Sequence, residues 1–161
     1  MGLEYFDLYL VHFPIALKYV DFADRYPPEW LYDPSAAEPR MARDAVPLSD
    51  TWGGMEGLVE QGLARQIGVC NYNTGLLHDL MSYARIRPAM LQIESHPYLT
   101  QEALIRTAQD YGMAVTAFSP LGASSYLELD MATQQESVLG ERVIADIAQE
   151  YGVSVAQAVA A

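Results

Sequence analysis

The stretch Gln66-Ile67-Gly68-Val69-Cys70-Asn71 is one of three short apolar runs of the same kind, followed by Ala89-Met90-Leu91-Gln92-Ile93-Glu94 and Met113-Ala114-Val115-Thr116-Ala117-Phe118. Each is too short for an ordinary helix and is bounded by turn residues, so each is read as a strand. Their centres, Gly68, Leu91 and Val115, lie 23 and 24 residues apart. Helical patterns fill the gaps: Leu76, Leu77, Leu80, Met81 and Ala84 share one face, and Ala103, Leu104, Thr107 and Ala108 the next, with Gly112 past the end. Strand and helix in strict alternation predict parallel strands joined by right-handed crossovers.

Upstream, Tyr5-Phe6-Asp7-Leu8-Tyr9-Leu10-Val11-His12-Phe13-Pro14 adds a fourth strand, stopped by Pro14. Alternation puts Phe6, Leu8, Leu10 and His12 on one face and Tyr5, Asp7, Tyr9 and Val11 on the other. Both faces are mostly apolar, which predicts a buried strand covered on each side. Residues 13–48 then form a long βα loop insertion, with Pro27-Pro28, Pro34, Pro39 and Pro47. Its aromatics Tyr19, Phe22, Tyr26, Trp30 and Tyr32 favour a packed loop over a disordered one. Ser49 or Asp50 caps a helix over about 50–62, with Trp52, Met55, Leu58 and Val59 inward. After Gly122 an irregular stretch with Glu128 and Asp130 leads to a helix over 141–151, then Gly152 and a last helical run, Val153–Ala161. A doubly wound sheet and a (β/α)8 barrel both give this order. No G-x-G-x-x-G or Walker loop follows a strand, so the barrel is preferred. Gly2 lies where a glycine ending an earlier helix would sit, and the last run stops without a C-cap. We therefore expect one α/β domain over 1–161, a partial (β/α)8 TIM barrel of about four central βα units, continued at both ends in a longer protein.

Nine Lys and Arg against 21 Asp and Glu give a net charge of −12, a field that repels phosphate backbones and anionic lipid. Nucleic-acid and membrane partners are not expected. The single cysteine, Cys70, forms no internal disulfide and suits a reducing, cytoplasmic setting; its plain reading is a small buried apolar side chain.

The strands end in His12, Asn71, Gln92 with Glu94, and Phe118 with Ser119, so one end of a barrel gathers polar groups where such folds place their function. Gln92, polar in an apolar run, needs a hydrogen-bond partner to sit there. Taken singly, each has a structural alternative: a satisfied histidine, a cap at Asn71, a strand-to-strand bond at Gln92.

Leu10-Val11-His12-Phe13-Pro14, Ile67-Gly68-Val69-Cys70-Asn71-Tyr72, Leu91-Gln92-Ile93-Glu94-Ser95-His96-Pro97-Tyr98-Leu99-Thr100-Gln101 and Ala117-Phe118-Ser119-Pro120-Leu121-Gly122 resemble, in that order, the aldo-keto reductases. The resemblance covers nearly the whole chain, and Phe13–Val20 with Tyr26-Pro27-Pro28 looks like the xylose reductase or aldose reductase branch. It implies an oxidoreductase reducing an aldose or other small aldehyde to an alcohol, with NADP(H), or alternatively NAD(H), extended across the C-terminal face of the barrel. By the same resemblance His12 is catalytic and orients the substrate carbonyl. Asn71 and Gln92 bond the nicotinamide carboxamide, with Cys70 where the family commonly has Ser. Phe118 replaces a Tyr stacked on the ring, Ser119 and Leu121 line the pyrophosphate path, and Phe13 walls the substrate pocket. The family's proton-donating Tyr, with its Asp and Lys, falls on strands before the first strand here, and the residues for the 2′-phosphate fall after the last. The 161 residues alone are accordingly expected to be inactive. The competing expectations are a non-catalytic cofactor-binding or regulatory protein of the same fold, and a shortened product without a function of its own.

Overall fold

The computed structural model describes residues 2–25, 31–122, 130–131, 133 and 136–160. Expectations for Tyr26, Pro27, Pro28, Trp30 and Glu128 fall outside these. Four strands, β1 (Phe6–Val11), β2 (Ala64–Cys70), β3 (Met90–Glu94) and β4 (Ala114–Phe118), form one sheet in the order β1-β2-β3-β4. Every pairing is parallel. Helices α1 (Leu48–Glu60), α2 (Thr74–Tyr83) and α3 (Glu102–Asp110) make the crossovers. Beyond β4, a 3-10 turn at Val138–Gly140 precedes α4 (Arg142–Tyr151) and α5 (Val155–Ala160).

The strand register sorts side chains into two layers. Tyr9 faces Ile67, Val11 faces Val69, Val69 faces Leu91 and Leu91 faces Val115. Ile67, Val69, Leu91 and Ile93 are fully buried there beneath Trp52 and Met55 of α1, Leu77 and Leu80 of α2, and Leu104 and Ala108 of α3. On the opposite layer Leu10 pairs with Gly68, Cys70 with Gln92, and Gln92 with Thr116. Gly68 is required there. A Cβ built on it would lie 2.5 Å from the Met90 carbonyl oxygen and 2.7 Å from Leu10 Cδ2, so any other residue pushes β2 away from β3.

Several expectations need correction. β1 is not buried: Phe6 is 41% and Tyr9 45% exposed, because among the described residues β1 has a neighbour on one side only. Neither Ser49 nor Asp50 caps α1. The helix starts earlier, at Leu48, with Pro47 before it and no side-chain cap bond. Pro suits that place because the first N–H groups of a helix have no internal partner anyway. The cap at the next helix is Asn73, whose Oδ1 accepts from Leu76 N at 2.9 Å, and not Asn71. On α3 the inward face is rotated: Leu104 and Ala108 are buried and Ile105 packs on the core, while Ala103 is exposed. Thr107 turns its hydroxyl back to the Ala103 carbonyl.

Between β1 and α1 the described residues form no further strand or helix, only a ribbon. Leu17 bridges Arg43 antiparallel, Lys18 N donates to Ala42 O and Asp44 N to Ala16 O. The Arg25 guanidinium donates to the carbonyls of Leu31 and Tyr32. A deeper brace joins α1 to the α2–β3 connection. Glu56, 4% exposed, accepts from Arg85 N at 2.7 Å and Ile86 N at 2.9 Å and pairs with the Arg85 guanidinium. Trp52 Nε1 donates to Ile86 O beside it. Burial pushes the Glu56 carboxyl up, but the Ile86 and Arg85 N–H bonds and the Arg85 charge outweigh it and hold the group below its ordinary value.

Candidate active site at the strand ends

Parallel strands of one sheet end together, so the residues just past β1, β2, β3 and β4 are neighbours by construction. His12 follows β1 directly and is exposed; its ring lies 4.5 Å from that of Phe13, centroid to centroid. Phe13 is half-buried. Asn71 follows β2 in the left-handed region, at φ 60°, a conformation Asn tolerates better than most residues. That turn points its groups at both neighbours. Asn71 N donates to Gln92 O at 2.9 Å, and Asn71 Nδ2 donates to His12 O at 2.8 Å. One residue therefore ties the ends of β1, β2 and β3.

Gln92 lies on β3 beside Cys70, and the Cys70 Sγ stands 3.7 Å from Gln92 Oε1 as donor. Burial pushes the Cys70 thiol pKa up, so the group keeps its proton and remains a donor. The polar Gln92 thus finds a partner on the neighbouring strand. Its Nε2 makes no hydrogen bond among the described residues, and the side chain is only half-buried.

Phe118, the last residue of β4, is half-buried and its carbonyl accepts from Ser95 N at 3.3 Å. Ser119 has φ 49° and accepts from Gly122 N at 2.9 Å, which folds Ser119–Gly122 into a tight turn with Leu121 exposed on it. Gly122, at φ 75°, packs against Val138, where a Cβ would come within 3.0 Å.

A further pair went unmarked as a site in the sequence. His96, its side chain 10% exposed, has Nε2 3.3 Å from Glu94 Oε1, while its Nδ1 is buried with no hydrogen-bond partner among the described residues. The turn holding it is closed by the backbone pair His96–Leu99, and Gln101 Nε2 donates to Glu94 O. Only the spacing of Glu94 and His96, two residues apart on a strand end, hinted at it. Tyr72, next to Asn71, is buried. Burial, then the nearby Tyr83 and Asp79, pushes its phenol up to about 12. Among the described residues no group of His, Cys, Asp and Glu is arranged to hold a metal ion, and no helix is long and apolar enough to cross a membrane.

Two side-chain amides stand on adjacent strands, Asn71 just past β2 with its Nδ2 held by His12 O and Gln92 within β3 with its Oε1 held by Cys70, and the Phe118 ring ends the next strand, β4.

The chain matches the model of the aldo/keto reductase family over residues 1–161. It is 48% identical to an NAD(P)H-dependent D-xylose reductase of Pyricularia oryzae over 153 residues, covering 94% of this chain and 47% of that protein. The structure superposes on the aldose reductase of Schistosoma japonicum with a TM-score of 0.79 at 32% identity, covering 98% of this chain and 44% of that one. On an aldo-keto reductase of Bombyx mori solved in complex with NADP the TM-score is 0.73 at 34% identity, over 97% and 44% of the two chains. The chain thus spans about half the length of the relatives it matches and aligns with about half of their (β/α)8 barrels. With the strand order and the family match over residues 1–161 in agreement, the chain belongs to the aldo/keto reductase family.

Proposed function

We propose that this chain forms part of an NAD(P)H-dependent reductase that converts the carbonyl of an aldose or other small aldehyde to an alcohol. What carries the reading is the way Asn71 ties the neighbouring strands: its Nδ2 donates to the His12 backbone carbonyl and its N donates to Gln92 O. That supports a site in which residue 12, bearing the imidazole, lies next to the strands that carry the two side-chain amides. Hydride transfer needs the donor carbon held against the carbonyl carbon, and directional amide bonds do that better than apolar contact alone.

In this reading Asn71 and Gln92 hold the carboxamide of the nicotinamide ring, Phe118 offers a stacking face, and Ser119 and Leu121 border the path of the pyrophosphate. The nicotinamide, when bound, supplies the hydride. His12 donates a hydrogen bond to the substrate carbonyl oxygen and fixes its direction, while Phe13 beside it excludes water from that side. Phe118 keeps the stacking face of a Tyr and lacks only its hydroxyl. The acid that completes the reduction is not assigned to any residue here.

The test is NADPH oxidation with D-xylose and with a short aldehyde, in the native protein and in His12→Ala. Loss of an orienting or acid-base group should lower kcat/KM by roughly a hundredfold to ten-thousandfold, with the NADPH dissociation constant nearly unchanged. Wild-type turnover in that variant would make His12 structural.

A further inference from the structure

Among the described residues the helix pair α4–α5 is lightly held. Of the α4 side chains only Ala148 is buried, and α5 buries none. Apolar packing does little to fix where α4 starts, so discrete polar ties matter more. Two such ties come from the loop that follows β3. Ser95 N donates to Phe118 O at the end of β4, and the Tyr98 hydroxyl donates to Glu141 Oε1, on the residue just before α4. Between them buried Val138 packs against Gly122, which brings the two ends of the β4–α4 connection together. The loop is stiff: His96 and Leu99 exchange both backbone bonds, Gln101 Nε2 donates to Glu94 O, and the His96 ring meets the Tyr98 ring edge-on at 6.3 Å. The bond to Glu141, then burial and the charges of Glu141 and Glu136, pushes the Tyr98 phenol up, so the hydroxyl keeps its proton and remains a donor. We infer that Ser95–Thr100 is a clasp that ties the start of α4 to the turn after β4, with Tyr98 as its positioning residue. A disturbance at Ser119–Gly122 is then felt at α4, although the sheet itself does not hold that helix.

Amide hydrogen exchange in the native protein tests the clasp without any ligand. Tyr98 is exposed, and Tyr98→Phe removes only its hydroxyl while keeping the ring beside His96. Exchange along α4 should then speed up about two- to tenfold, the scale of one hydrogen bond, with the amides of β2 and β3 at the parent's rates. In the Glu141→Ala background Tyr98→Phe should add nothing. Unchanged exchange of α4 in Tyr98→Phe, or full additivity of the two changes, would overturn the clasp. Its link to the strand ends rests on the proposed place of Ser119 and Leu121 beside the pyrophosphate. NADPH should slow exchange at Ser119–Gly122 in both proteins, and should slow it at α4 in the parent more than in Tyr98→Phe. Equal slowing at α4 in both would show that the coupling does not pass through Tyr98 and would overturn the positioning role. No slowing at Ser119–Gly122 would count against the cofactor reading, and the comparison without ligand would still decide the clasp.

Discussion

Asn71 concentrates the logic of the strand ends in one residue. Its positive φ is what lets a single backbone N–H reach Gln92 O while its side chain reaches His12 O. A left-handed conformation costs roughly 1–2 kcal/mol for a residue with an ordinary Cβ and nothing for glycine. Two substitutions therefore separate backbone from side chain. Both Asn71→Ala and Asn71→Gly lose the bond to His12, worth about 0.5–1.5 kcal/mol. Only the alanine variant adds backbone strain. Asn71→Gly should be the more stable of the two by about 1 kcal/mol in urea unfolding, while both bind NADPH more weakly than the parent. Equal unfolding midpoints would mean that the left-handed turn is not held in solution. The sequence made Asn71 conspicuous as a strand-end amide, but it offered a helix cap as an equal reading. What separated the two is a dihedral angle, which no spacing encodes, and the presence of Asn73 two residues on to take the cap.

At the scale of elements, the brace around Glu56 decides how α1 and α2 meet over the sheet. Glu56 is the one charged residue in the core of the described residues, and removing it leaves Arg85 N and Ile86 N without their acceptor. Each buried donor so abandoned costs about 1–3 kcal/mol, more than a surface ion pair could return. Glu56→Ala should therefore destabilise the fold clearly while leaving the strand-end groups in place. The pH dependence follows from the lowered carboxyl. A folded-state pKa below the ordinary 4.5 means the stabilisation is present above that value and is lost as pH falls through the folded pKa. Thermal melts from pH 6 down to about 3 should show a slope that Glu56→Gln flattens. An unchanged slope would place the acid sensitivity elsewhere. Periodicity had announced α1 through Trp52, Met55, Leu58 and Val59, all of which pack inward, yet it was silent on Glu56. Hydrophobic patterning counts apolar residues, and a carboxylate satisfied by backbone N–H groups about thirty residues away reads as solvent-facing until the chain is folded. The parallel order of the strands was legible for the opposite reason. Regular spacing of short apolar runs leaves few other ways to connect them.

For the molecule as a whole, the open edges matter most. Among the described residues β1 and β4 each have a strand neighbour on one side only, and parallel edge strands present rows of unpaired N–H and C=O groups. β1 compounds this with its exposed rings, Phe6 and Tyr9, at a centroid distance of 5.8 Å. α4 adds a second apolar surface, since Val143, Ile147 and Tyr151 recur every four residues and all are exposed. Parallel strands are normally covered on both faces, and exposed apolar surfaces of this kind favour association. Prepared as an isolated polypeptide of 161 residues, the chain should associate as concentration rises and should unfold over a broad, non-cooperative range of urea. Sedimentation and circular dichroism together check this. It should also fail to oxidise NADPH with any aldehyde, because His12 is the one residue here to which a role toward the carbonyl is assigned, and an orienting imidazole does not supply the tuned acid. A sharp two-state transition in a monomeric preparation would show that the edges are satisfied within the 161 residues. Measurable aldehyde reduction by the same preparation would require a proton donor inside the chain, and would reopen the assignment of His12.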